Sequence, residues 1–127
     1  MVNGTKIYGR GQKTGPGHAQ LSEILANKLA MTGKFKEVHL NRSYEAVTGT
    51  RTTPRRSPDL IAVDHNGRIH SIEIASRSDM SPQKYQNLVS RNQISQQQLP
   101  TVNRGRIVVV DHPYSASSTK TTIDNWL

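Results

Sequence analysis

Apolar positions along this chain fall into blocks, and the period of the pattern changes from block to block. Leu21, Ile24, Leu25 and Leu29 lie at helical spacing, with Ala19, Ala26 and Ala30 as good helix formers and Gly33 as a stop. The spacing predicts an amphipathic helix over about 18–32. Lys36-Glu37-Val38-His39-Leu40 alternates polar and apolar, the mark of a short strand. Residues 41–57 carry Thr, Gly, Pro and Arg with no period and read as a long mobile loop, a length that signals function or disorder inside a compact domain.

The pattern is clearest from Asp59 to Ser76. Leu60-Ile61-Ala62-Val63 is an apolar strand, Asn66-Gly67 a strong turn signal, and Ile69 to Ala75 a second strand, so the segment is expected to be a β-hairpin. Ser81-Pro82 offers an N-cap followed by a proline at the first helical position. Tyr85, Leu88, Val89 and Asn92 then trace one helical face that ends near Pro100. Arg106 to Asp111 reads as another strand, whose all-apolar centre suggests a sheet covered on both faces. Residues 1–17 hold five of the nine glycines and read as a flexible arm or loop with room for a short strand. The stretch from Ser115 is polar until Ile123, Trp126 and Leu127, which suits a short docking helix. Helix, strand, hairpin, helix and strand in that order predict one α/β domain over 1–127, a mixed central β-sheet with flanking helices.

Composition narrows the function. The 127 residues include 17 Lys and Arg against 9 Asp and Glu, a net charge of +8, and only 33% are hydrophobic. The longest apolar run, Ile107 to Val110, is far short of the ~20 residues of a membrane span, so no integral membrane segment is expected. Residues 1–17 lack the apolar region of a signal peptide. Without cysteine there is no disulfide framework, thiolate nucleophile or Cys-type zinc site. The cationic surplus favours a polyanionic partner, nucleic acid first. Arg51, Arg55 and Arg56 cluster in one Thr/Pro-rich stretch beside Asp59, which makes them the best candidates for phosphate contacts.

Acids are few, so their placement carries information. The length of the hairpin loop decides whether Asp59 and Glu73 share a face. A two-residue Asn66-Gly67 loop sets Glu73 opposite Leu60 and leaves Asp59 on the other face. A three-residue loop from His65, with Gly67 left-handed, pairs Asp64 with Arg68 and sets Asp59 opposite Glu73, their Cβ atoms ~5 Å apart. The second register also gathers Leu60, Ala62, Ile72 and Ile74 on one face and is favoured. Two carboxylates so placed repel unless a cation sits between them, and hard oxygen ligands suit Mg²⁺ or Mn²⁺. On spacing alone the alternative is a surface Glu73 paired with Arg56 or Arg77, with Asp59 a turn residue after Pro58.

Ser57-Pro58-Asp59, an apolar strand, Asn66-Gly67 and then Ile72-Glu73-Ile74-Ala75-Ser76-Arg77 resembles the core of the PD-(D/E)XK nuclease superfamily. More narrowly, it resembles the C-terminal toxin domains of contact-dependent growth inhibition proteins and related polymorphic toxins. Gly17-His18-Ala19, a helix carrying Glu23, and Gly33-Lys34-Phe35 agree with that upstream. The resemblance spans about residues 17–95. It implies a restriction-endonuclease-like core, with Asp59 and Glu73 as metal ligands and Glu23 as a third carboxylate. It implies Mg²⁺-dependent hydrolysis of nucleic acid, with transfer RNA expected before DNA, and Arg51, Arg55, Arg56, Arg77 and His18 contacting it. It also implies a cognate immunity protein, and a secreted or cell-surface effector whose toxin acts in the target bacterium's cytoplasm.

The family's lysine, two residues after the glutamate, is replaced here by Ala75. Three accounts stand open: an inactivated variant, a cation migrated to Lys84 or Arg77, or Ser76 and Gln83 holding the water in its stead. Two rival functions also stand: a non-catalytic nucleic-acid-binding module with structural carboxylates, and a histidine-based RNase drawing on His18, His39, His65, His70 or His112.

Overall fold

The structure, a computed structural model, describes residues 4–10, 18–74 and 82–110. It is an α/β fold built on a five-stranded mixed sheet. Strand β1 (Lys6–Gly9) precedes helix α1 (His18–Met31) and strand β2 (Phe35–Leu40). A short helix α2 (Tyr44–Thr48) leads to the hairpin of β3 (Leu60–Asp64) and β4 (Ile69–Ile74). Helix α3 (Pro82–Gln97) and a 3₁₀ turn (Thr101–Asn103) lead into β5 (Arg104–Val110). The strands lie in sequence order, with β1 parallel to β2, β2–β3–β4 antiparallel, and β5 parallel to β4.

Side-chain alternation divides the core between the two faces of this sheet. On one face Leu25, Ala26 and Leu29 of α1 pack on Val38, Leu40, Leu60, Ala62, Ile72, Ile74 and Val110. On the other, Ile61, Val63 and Ile69 meet Tyr44 and Leu99. The hairpin register is the three-residue one: Leu60 pairs with Ile72 and Val63 with Ile69, and the Asp64 amide donates to the Arg68 carbonyl at 3.1 Å. Gly67 takes φ +82°, the left-handed conformation that closes such a loop. Asp64 Oδ1 accepts the amides of Asn66 and Arg68, both at 2.9 Å, and pins the turn.

One expectation needs correction. Part of the 41–57 stretch is a helix: Ser43 caps α2 by accepting the Ala46 amide at 3.1 Å, and Gly49 closes it in the left-handed conformation. The remainder is tied down, since the Tyr44 amide donates to the Arg56 carbonyl and Thr53 exchanges two hydrogen bonds with the Gln98 side chain. Strand β5 lies at the sheet edge with Ile107, Val108 and Val109 half-buried, and the sheet is covered on both faces, as the strand's apolar centre suggested. Its apolar centre reflects packing against α3 and the α1 layer, not a central position.

The buried stripe of α3 is polar. Asn92, Ser95 and Gln96 are buried while Leu88 and Val89 are only half so. Gln96 explains its place: its amide donates to the Ile69 carbonyl (2.7 Å) and accepts the Gly105 amide (3.1 Å). The β4–β5 ladder is irregular between Ile69 and Ser71, and the side chain satisfies backbone groups freed there. The expected C-terminal helix lies outside the described residues. Among the described residues no helix is long and apolar enough to cross a membrane.

Candidate functional site

Extending the hairpin register by one residue beyond Leu60–Ile72 sets Asp59 opposite Glu73 on the face covered by α2 and α3. The two carboxylates interlock. Glu73 Oε1 accepts the Asp59 amide at 3.1 Å, and Asp59 Oδ2 accepts the Ile74 amide at 2.7 Å. Glu73 is not the surface residue that spacing alone allowed, because α3 closes over it and leaves it 3% exposed.

Glu73 Oε2 accepts from the Arg56 guanidinium and from Asn92 Nδ2 (3.0 Å). Asn92 Oδ1 in turn accepts the Tyr44 hydroxyl at 2.9 Å, and its amide also donates to the Leu88 carbonyl. A buried chain thus runs from Tyr44 through Asn92 and Glu73 to Arg56, joining α2, α3, β4 and the loop before β3. Burial pushes Glu73 above the usual carboxylate range; the Arg56 charge pulls the other way and the Asp59 charge adds to the rise. Burial likewise pushes the Tyr44 hydroxyl up to about 12, so it stays a neutral donor. Arg56 Nε is buried with no hydrogen-bond partner, so the guanidinium is only partly satisfied in its slot.

Asn92, Tyr44 and Arg91 are the members that sequence reasoning missed. Asn92 passed as one of four residues on a helical face, and Tyr44 lay in a stretch without period. A signal for α2 was present, Ser43 as cap and Gly49 as stop. Arg91 lines a hollow of about 220 Å³ together with Arg55 and Arg56, and Arg56 links that hollow to Glu73. Arg51 and Arg55 are exposed on the loop that delivers Arg56.

Glu23 is not brought to the pair. It is exposed on α1, which covers the opposite face of the sheet, and among the described residues no three His, Asp or Glu side chains gather around a common point. Lys84 is exposed on the first turn of α3. Ala75, Ser76 and Arg77 lie outside the described residues, as do His112 and the side chain of His18. His39 is committed to structure: Nε2 faces Glu37 Oε1 at 3.0 Å, Nδ1 faces Arg42 at 3.3 Å, and the ring stacks on Tyr8. Burial holds its pKa below the ordinary value.

The site therefore offers two convergent carboxyl groups, one guanidinium bound to Glu73, and two further arginines lining a hollow with it. Asp59 Oδ2, Glu73 Oε1 and Glu73 Oε2 each already accept from a backbone amide, Arg56 or Asn92. In comparisons with known proteins, no family model, curated protein or solved structure matches the chain.

Proposed function

We propose that this chain is a metal-dependent nuclease domain acting on nucleic acid, with transfer RNA preferred over DNA. The observation that carries the reading is the interlocked Asp59–Glu73 pair on one face of the hairpin, with Arg56 bonded to Glu73 and lining a hollow with Arg55 and Arg91. Asp59 and Glu73 would hold Mg²⁺ or Mn²⁺. Such an ion, when bound, lowers the pKa of an attacking water and neutralises charge at the phosphate. The chain's own residues supply the rest. Asn92 and the Asp59 amide fix the Glu73 carboxylate, and the arginines of the hollow take the non-bridging oxygens of neighbouring phosphates. Arg56, bonded to Glu73, offsets part of the carboxylate charge and would lie beside a phosphate bound there.

The resemblance to toxin domains extends this to a nuclease delivered into a competing bacterium. An acidic cognate immunity protein would associate with the +8 domain rapidly and with strong salt dependence. A second reading is favoured by one observation: Arg56 already fills the cation position, as it would in a binding module whose carboxylates are structural. Incubation with total RNA and with plasmid DNA, in Mg²⁺ and in EDTA, separates the two. Cleavage in Mg²⁺ that EDTA stops, and that Asp59→Ala or Glu73→Ala lowers more than about a hundredfold, supports the nuclease. Full cutting by either variant refutes it, and salt-sensitive binding without cutting supports the module.

A further inference from the structure

A cavity of about 610 Å³, far larger than the hollow beside the carboxylates, opens at the turn end of the β3–β4 hairpin. Asp64 stands five positions after Asp59, so the cavity lies ~17 Å along the strand from the carboxylates. It is also on the α1 side of the sheet, since Phe35 and His70 form its wall. Its described lining brings together Lys34, Arg68 and Arg106, all exposed, with Asp64 as the one acid.

That acid is turned into the wall. Asp64 Oδ1 accepts two backbone amides, and Oδ2 faces His70 Nε2 at 3.0 Å. His70 Nδ1 accepts the Arg106 amide at 2.9 Å, which leaves the ring proton on Nε2 for Asp64. The Asp64 charge is thus spread over three donors. Gly105 makes the clamp possible, because a Cβ there would sit 2.3 Å from the Ile69 carbonyl oxygen and 2.7 Å from His70 Nδ1. The result is a braced concave floor with three cationic side chains at the mouth and a surplus of two positive charges. A concave, single-sign mouth focuses the field on an incoming anion. Two guanidinium forks and an ammonium, spaced around one opening, match consecutive phosphodiesters better than one small carboxylate.

We infer that this cavity is a second nucleic-acid site, which grips the phosphate backbone at a distance from the carboxylate pair. It rests on nucleic acid being the ligand of the proposed function, but not on hydrolysis. Because the two sites face opposite sides of the sheet, the ~17 Å along the strand is a lower bound on the path between them, beyond the span of a mononucleotide. A folded RNA that wraps the sheet edge reaches both; a mononucleotide does not.

The test is fluorescence anisotropy in EDTA with a labelled 20-nucleotide RNA hairpin, with AMP as a separate ligand. A Lys34→Ala/Arg68→Ala/Arg106→Ala variant is compared with a Lys6→Ala/Arg10→Ala/Lys36→Ala control that removes the same charge from other exposed positions. The cavity variant should bind the hairpin at least tenfold more weakly at ~0.1 M salt, with the slope of log K against log salt reduced by about 2. The control should shift affinity by less than about threefold. Equal losses in both variants, no loss in the cavity variant, or AMP binding as tight as the hairpin overturns the inference. If the triple variant melts early, Arg68→Glu is read against Arg68→Lys: only the first should weaken binding, and equal behaviour overturns the inference. Cavity-dependent binding without cleavage in Mg²⁺ refutes only the nuclease reading. Cleavage with cavity-independent binding refutes only the second site.

Discussion

Replacing Arg56 with Met removes the cation from a carboxylate that stays buried. In the ion pair the Glu73 side chain is 4% exposed and that of Arg56 24%. Breaking a buried pair from one side costs about 3–5 kcal/mol. Two features reduce that here: the guanidinium reaches solvent, and Glu73 keeps its bonds from Asn92 and the Asp59 amide. The expected loss at pH 7 is therefore about 2–3 kcal/mol, a fall in Tm of roughly 6–15 °C for a chain of this length. The pH dependence has a definite sign. Glu73 is held above its unfolded pKa of about 4.5, so folding favours its protonated form, and the associated stability is present below pH 4.5 and lost as pH rises through the folded value. Without Arg56 the folded pKa rises further, so the mutational loss should be small near pH 4 and grow toward pH 7. Urea denaturation in EDTA at both pH values measures it, and the Arg56→Met/Glu73→Gln double variant should recover most of the loss. A loss that is the same at both pH values, or unchanged in the double variant, refutes a charge-based role for Arg56.

Asn92→Leu removes one acceptor from the Tyr44 hydroxyl and one donor from Glu73 Oε2 and should cost about 1–3 kcal/mol by urea denaturation; no measurable loss contradicts the network. Gly105→Ala should destabilise by more than about 2 kcal/mol and move the His70 imidazole resonances, because the added methyl displaces the Ile69 carbonyl or the ring. Ala75→Lys, assayed for Mg²⁺-dependent cleavage, should raise activity at least tenfold if position 75 is where the water-orienting cation belongs; an unchanged rate assigns that role elsewhere. Burial pushes the Asp64 carboxyl up, yet hydrogen bonds from His70 and from the Arg68 and Asn66 amides outweigh it and hold its pKa below 3.8. Its stability is thus present above pH 3.8 and lost on acidification, so Asp64→Asn should lose about 1 kcal/mol at pH 7 and flatten the acid limb of the stability curve.

Features set by neighbours in sequence were legible without coordinates. The α1 stripe, the start of α3 at Pro82 and the strand pattern of β2 are local preferences set by nearby residues. The hairpin register followed from Gly67 and from which loop length puts Leu60, Ala62, Ile72 and Ile74 on one face, and it carried Asp59 to Glu73. What lay beyond the sequence concerns partners far apart in the chain. Tyr44 and Asn92 are 48 residues apart, and α2 is a single turn too short to show a period. The polar stripe of α3 is meaningless until the ladder gap at Ile69 and the carboxylate of Glu73 lie beneath it. The position of β5 at the sheet edge, the separation of Glu23 from the pair, and the seating of Arg56 against Glu73 are of the same kind. Sequence determined local conformation and short-turn pairing because those energies depend on adjacent residues. Tertiary structure alone decided which polar groups leave water together, since that cost is fixed by whatever distant element closes over them.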